Sequence, residues 1–136
     1  MTHHEHPHAA LVRRGYEAFS NGDMETLGSL MTSDCTHHVP GESQISGHYK
    51  GRDNVIGGYY RMLGELSGGT IRVDLKGVYV DGRGHVIATH RFFAERGDRG
   101  IEMNGGLFFT LVGDKISDID ECVADITETD SFWGTG

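Results

Sequence analysis

The sequence predicts an α+β domain, with helices first and an antiparallel strand meander last. Three observations carry this reading. Apolar residues recur at helical spacing through the first half of the chain. From Ile71 onward they alternate one by one, as strands do. The 136 residues hold one core and leave no room for a second. Helices and strands kept in separate halves argue against βαβ units, and so against a doubly wound parallel sheet.

Pro7 suits a first helical turn. Behind it Leu11, Gly15, Ala18 and Phe19 share one face, with Val12 and Tyr16 beside them, while Arg13, Arg14 and Glu17 take the wet side. Asn21-Gly22 stops this helix. Asp23 caps a short second helix whose buried face is Met24, Leu27, Leu30 and Met31. Cys35 to Val39 reads as a short strand ended by Pro40-Gly41, and a polar, Gly-rich loop from Glu42 to Gly51 follows. A third helix begins at Asp53, with Val55, Tyr59, Met62 and Leu66 in one stripe, widened by Ile56, Tyr60 and Leu63. Gly57 and Gly58 weaken it, which points to a close neighbour.

Strands are predicted over Thr70–Val80, His85–Glu95, Ile101–Val112 and Lys115–Ala124, with turns at Asp81–Gly84, Arg96–Gly100 and Gly113-Asp114. The expected loop lengths set the register. They place Val80 opposite His85, Arg96 opposite Ile101 and Val112 opposite Lys115. Leu75, His90, Leu107 and Asp120 then form one row across four strands, with Phe109 opposite Asp118. One face is almost wholly apolar, including Val73, Phe92, Leu107 and Phe109. Its ionisable members are His90, Asp118, Asp120 and Tyr79. The other face is polar apart from Phe93, Phe108, Ile119 and Val123. A one-residue slip in any hairpin would exchange the two faces of a strand.

His90 and Asp120, about 10 Å apart between backbones, would flank a small molecule lying across Leu107. A carboxyl among apolar groups is poorly solvated as an anion and is drawn toward proton transfer near neutral pH. An imidazole titrates in the same range. An apolar wall with a few polar groups is the usual make-up of a small-molecule pocket. In the first strand, His37 and His38 face opposite ways, so at most one looks inward.

Composition narrows the classes. With 20 acidic against 12 basic residues and a net charge of −8, no basic stripe exists to bind nucleic acid, and anionic membranes are repelled. No apolar run has the roughly 20 residues of a membrane span. The N-terminus lacks a signal-peptide pattern. Two cysteines, Cys35 and Cys122, make no metal-binding or CxxC spacing and fit free thiols in a reducing cytoplasm. No nucleotide loop, zinc motif or nucleophile elbow occurs. A cytoplasmic protein without metal or cofactor is expected. The histidine-rich residues 1–8 read as a flexible tail, 9–133 as one domain and 134–136 as a second tail.

Four stretches carry a family resemblance. They are Tyr16-Glu17-Ala18-Phe19-Ser20-Asn21-Gly22-Asp23, His38-Val39-Pro40-Gly41, Gly47-His48-Tyr49-Lys50-Gly51-Arg52 and Asp114-Lys115-Ile116. In order and spacing the chain, over roughly residues 9–133, resembles the nuclear-transport-factor-2-like superfamily in its SnoaL-like branch. The resemblance implies a cone of three helices against a strongly curved sheet, with a pocket in its mouth and homodimers formed through the sheet. It implies isomerase, cyclase, dehydratase or epoxide-hydrolase chemistry on a small apolar metabolite without a cofactor, or a non-catalytic ligand- or partner-binding role. Asp120 lies close to the acid/base Asp of the cyclases' last strand. His38 stands where isomerases carry their basic Asp, and Tyr16 lies near their helix-one tyrosine. The expected catalytic set is therefore Asp120, His90, His38 and Tyr16. Tyr59, Tyr60, Phe92, Leu107, Phe109, Asp118 and Trp133 are expected to line the ligand. The Gln-Leu-Gly tail common in aldol cyclases is absent.

Overall fold

The computed structural model describes residues 5–134. Helix α1 (Pro7–Ser20) starts where the His6 side chain accepts a hydrogen bond from the His8 amide. The structure therefore enters the helix two residues before the expected domain start, and His3 and His4 of the expected tail lie outside the described residues. Helix α2 (Met24–Ser29) is capped as expected by Asp23, which accepts from the Thr26 amide at 3.1 Å. Met31, expected on α2, instead opens strand β1 (Met31–Val39), which is longer than the sequence suggested. The loop expected from Glu42 to Gly51 contains strand β2 (Gly47–Lys50). A continuous helical stretch follows: α3 (Arg52–Asn54), a π-helical segment (Val55–Tyr60) and α4 (Arg61–Leu66). The meander is β3 (Arg72–Val80), β4 (His85–Arg96), β5 (Arg99–Val112) and β6 (Lys115–Val123). A last helix, α5 (Ile126–Trp133), occupies the acidic run after β6 and was not expected. Asp125 caps it by accepting from the Glu128 amide. No helix among the described residues is long and apolar enough to cross a membrane.

The six strands form one curved sheet in the order β2-β1-β6-β5-β4-β3. Only the β1–β6 pair is parallel. The helices cover the concave face. Leu11 and Val12 of α1 and Val55 of the π-helical segment meet Val86, Ala88 and Phe109 of the sheet in one buried cluster. Burying apolar side chains on one face of each element is what holds the layers together.

Three details of register decide which side chains reach the concave face. The β4–β5 turn is two residues, Gly97 at φ 61° and Asp98, not four. That moves the partner of His90 from Leu107 to Gly105 but keeps every face, because the slip is an even number. In β3 the register shifts between Leu75 and Gly77. Leu75 pairs with His90 as expected, but Val78 now turns inward and Tyr79 outward, where it is 62% exposed. In β6 the turn at Gly113-Asp114 is as expected, and Val112 does face Lys115. Ser117 is then an extra residue: Leu111 pairs with Ile116, yet Thr110 pairs with Asp118. Its hydroxyl donates to the Thr110 carbonyl at 3.0 Å, which occupies the bulged side chain.

That single bulge reverses the rest of β6. Ile119, Glu121 and Val123 face the concave side, and Asp118, Asp120 and Cys122 face out. Ile119 and Val123 therefore leave the outer apolar patch, where Phe108 remains partly exposed and Phe93 lies under the Arg72 guanidinium, 4.4 Å from the ring centroid.

Candidate acid/base site

A cavity opens between α1, the π-helical segment, α5 and the concave sheet, with about 970 Å³ free of protein atoms, counting its open mouth. Most of its wall is apolar, with Val12, Phe19, Leu63, Val73 and Ile116 among the contributors. Of the residues expected to line a ligand, Tyr59, Tyr60, Phe92, Leu107, Phe109 and Trp133 do so. Asp118 does not. It sits on the outer side and accepts a hydrogen bond from the Thr36 hydroxyl.

Two polar clusters interrupt this wall. The first centres on Glu121. Its Oε1 accepts the Tyr59 hydroxyl at 2.7 Å and His37 Nε2 at 3.0 Å. The carboxylate oxygen accepts, so the His37 Nε2 that faces it carries a hydrogen, and Nδ1 on the other side of the ring lies 3.1 Å from the Tyr60 hydroxyl. A hydrogen-bonded chain thus links Tyr60, His37 and Glu121, and Tyr59 is a second donor to the carboxylate. Oε2 of Glu121 has no hydrogen-bond partner among the described residues. His37 is 1% exposed and the Glu121 side chain 17%. The carboxylate is anchored by one oxygen and reachable through the cavity.

The second cluster is Tyr16 with His90, whose hydroxyl and Nδ1 are 2.7 Å apart. His90 fits because its neighbour on β5 is Gly105: a Cβ there would lie 3.1 Å from His90 Nε2 and 2.9 Å from the Cys122 carbonyl oxygen. Burial holds the His90 pKa below the ordinary histidine value, against a smaller opposing pull from Glu121. Burial first, and the Glu121 charge second, push the Tyr16 phenol well above its ordinary value. Both groups are therefore neutral near pH 7. They bring two hydrogens to one shared bond, so whichever donates, one O–H or N–H is left that no described protein group accepts.

Glu121 lies opposite Leu107 on β5, and His90 opposite Gly105. Two strands and two residues of offset separate their backbones by roughly 12 Å. Both side chains rise from the same curved face toward one cavity. The Glu121 charge also raises the Tyr59 and Tyr60 phenols, after burial as the larger cause. The two clusters thus act on each other across a low-dielectric space.

Besides Asp118, two expected catalytic residues are corrected. Asp120 faces outward and is exposed, because the Ser117 bulge shifts β6 by one residue, and Glu121 takes the concave position. His38 is exposed on the outer side, its ring 5.9 Å from that of His48. His37 faces inward in its place. A signal for each was present. Cys35, His37 and Val39 share one parity, and two of the three are apolar, so His37 belongs with the buried set. Ile116 and Ile119 are both about 1% exposed, yet three residues apart they cannot share one face of a regular strand. An apolar pair at that spacing announces a bulge.

The π-helical segment explains how neighbouring Tyr59 and Tyr60 both serve the site. The buried residues Val55, Tyr59, Leu63 and Ser67 recur every fourth position. A regular α-helix would rotate such a series by about 40° per step, and about 120° over three. The wider π turn absorbs that drift. The close neighbour expected at both glycines is present at one only: a Cβ on Gly58 would touch the Tyr49 ring at 3.6 Å, an ordinary contact, while Gly57 is exposed with nothing within 4 Å. No group of three His, Cys, Asp or Glu side chains poised for a metal ion occurs among the described residues.

The sequence and fold match those of known proteins. The chain belongs to the SnoaL-like domain family, whose model matches residues 12–119. It is 33% identical over 126 residues to an uncharacterised protein of Mycobacterium tuberculosis, spanning 90% of this chain and 93% of that one. Among solved structures it is similar to Bal32a, from a soil-derived mobile gene cassette. The identity is 35%, the TM-score 0.90, and the coverage 93% of this chain and 96% of that one. A Xanthomonas campestris protein of unknown function with a cystatin-like fold has 27% identity and a TM-score of 0.86, over 93% and 98% of the two chains. At the family level, SnoaL-like domains include cyclases and isomerases.

Proposed function

We propose that this protein catalyses proton transfer at the carbon beside a carbonyl of a small, mostly apolar molecule, with its own side chains as base and acid. The observation that carries this reading is Glu121. One carboxylate oxygen is fixed by Tyr59 and His37, and the other is left for a ligand in an apolar cavity. Glu121 Oε2 would take the α proton. The C–H electron pair then forms a carbon–carbon double bond, and the carbonyl π pair moves onto oxygen. The free hydrogen of the Tyr16–His90 pair would bond that oxygen as its charge develops, an effect typically worth about 10²–10³ in rate. Protonated Glu121 returns the proton to the same carbon or, in a conjugated system, to the γ carbon, which completes an isomerisation.

The test needs no knowledge of the natural substrate. An aryl methyl ketone such as 2-acetylnaphthalene in deuterium oxide reports α-proton removal by loss of its methyl signal in NMR. The protein should accelerate that exchange, and Glu121→Gln should remove about 10²–10⁴ of the acceleration. Saturable binding of the ketone with exchange no faster than buffer would make this cavity a carrier site and end the catalytic reading.

A further inference from the structure

The convex face of the sheet carries a row of side chains that the cavity does not use. Strand pairing sets Phe108, Asp120, His38 and His48 side by side across β5, β6, β1 and β2. Asp120, His38 and His48 are exposed. No metal-binding spacing joins the two histidines in the sequence. They meet because β1 and β2 pair with His38 directly opposite His48. Their rings lie 5.9 Å apart, centroid to centroid, at 81°. The other strand histidines are each engaged: His37 by Tyr60 and Glu121, His90 by Tyr16 and His85 by Asp81. Among the described residues, neither the His38 nor the His48 ring is hydrogen-bonded to a protein group, so both keep a nitrogen lone pair for a ligand.

The separation suits a shared ion. A metal–imidazole bond is about 2.0–2.1 Å, which puts a ring centroid about 3.2 Å from the metal. Two rings on one ion then have centroids about 5.2 Å apart at a tetrahedral angle and about 6.4 Å apart in line. The observed 5.9 Å falls between these limits, so side-chain rotation closes the chelate without backbone movement. The backbone is fixed for it, because β1 is paired on one side to β2 and on the other to β6. Asp120 flanks His38 one strand spacing away, and the chain carries a net charge of −8, so the surroundings favour a cation. We infer that His38 and His48 chelate one divalent transition ion of the class that imidazole prefers, Zn²⁺, Ni²⁺ or Cu²⁺, with water in its remaining positions. Mg²⁺ and Ca²⁺ are outside the class, since they take oxygen ligands. The ion lies on the opposite side of β1 from His37 and takes no part in proton transfer. Its effect is to fasten the short edge strand β2 to β1. That strand carries Tyr49, whose ring stacks on Tyr59 at 5.2 Å.

Titration calorimetry at pH 7.5 with zinc chloride, and separately with magnesium chloride, tests the site on the full chain. His3, His4, His6 and His8 are competing ligands, so the parent is compared with His38→Asn, His48→Asn and the double variant. The expected result is a saturable Zn²⁺ site that each single substitution weakens at least 10-fold, since losing a ligand costs no less than the roughly 10–100-fold typical of losing a supporting partner. The double variant should lack the site, and Mg²⁺ should not fill it. Thermal unfolding gives a second readout: Zn²⁺ should raise the Tm of the parent and leave that of the double variant unchanged. Both side chains are exposed, so without metal the variants should unfold like the parent. An unaltered Zn²⁺ isotherm in the double variant would put the ion on the N-terminal histidines and overturn the inference. So would an effect of only one of the two substitutions, which describes a single-histidine contact. Mg²⁺ binding as tight as Zn²⁺ would also overturn it, since that is diffuse attraction to an acidic surface.

Discussion

Replacing Glu121 separates its chemistry from its structural part. Glu121→Gln keeps a carbonyl-type oxygen where Oε1 now accepts the Tyr59 hydroxyl at 2.7 Å and His37 Nε2 at 3.0 Å. Both donors stay satisfied. What is lost is the extra strength of bonds to a charge, about 1 kcal/mol for each of two bonds. Against this stands the desolvation that a mostly buried carboxylate no longer suffers, of the same order and opposite sign. The net stability change should fall within about 1 kcal/mol of zero. Glu121→Ala is a different perturbation. It leaves the Tyr59 hydroxyl and the His37 N–H without an acceptor, each a loss of about 1–3 kcal/mol, and so about 2–6 kcal/mol together. Urea unfolding followed by Trp133 fluorescence measures both, and deuterium exchange of the ketone measures the chemistry. The expected pattern is Gln stable and inactive, Ala unstable and inactive. A Gln variant as unstable as the Ala variant would show that the two-donor geometry is not what holds this side chain. Undiminished exchange in Gln would remove Glu121 from the base role.

Further outcomes follow from the packing around the site. Deleting Gly57 should force the π-helical segment toward a regular helix, where Tyr59 follows Val55 by about 300° instead of a full turn, and so rotate Tyr59 by about 60° relative to Val55. The variant should lose stability in urea, whereas Gly57→Ala, on open surface, should gain about 0.5–1 kcal/mol; a deletion variant as stable as the parent would contradict the π-turn account. Gly105→Ala should cost about 1–3 kcal/mol and displace His90 from Tyr16, because its Cβ meets the Cys122 carbonyl at 2.9 Å and His90 at 3.1 Å; an unchanged His90 NMR environment in this variant would refute the contact. His90 is held neutral by burial, so its folded pKa lies below its unfolded value. Between those two values the unfolded chain binds more protons, and stability must fall as pH drops below about 6.5. His90→Gln should flatten that part of the stability profile, and an unaltered slope would show that other groups set it.

The sequence by itself determined the architecture and the kind of surface it would present. Local periodicity sufficed for that. Helical spacing around Leu11 and Val12, the Asp23 cap, the alternation through β4 and β5 and the Gly113-Asp114 turn each depend on neighbours a few residues away, and each is found in the structure. His90, Tyr16, Tyr59 and Tyr60 were legible as cavity residues for the same reason, since each sits on the apolar side of its own element. The centre of the site was not, because it hangs on parity. One unpaired residue, Ser117, exchanges Asp120 for Glu121; the Ile116–Ile119 spacing signals a bulge, but the pairing with β5 decides which residue is left unmatched. The parity of Cys35 and Val39 already favours His37 over His38, but its partners come from β1 running parallel to β6, which brings His37 to Tyr60 and Glu121. Strand alternation is a local property, but the origin from which it is counted is set by pairing between distant segments, and only the tertiary structure supplies it.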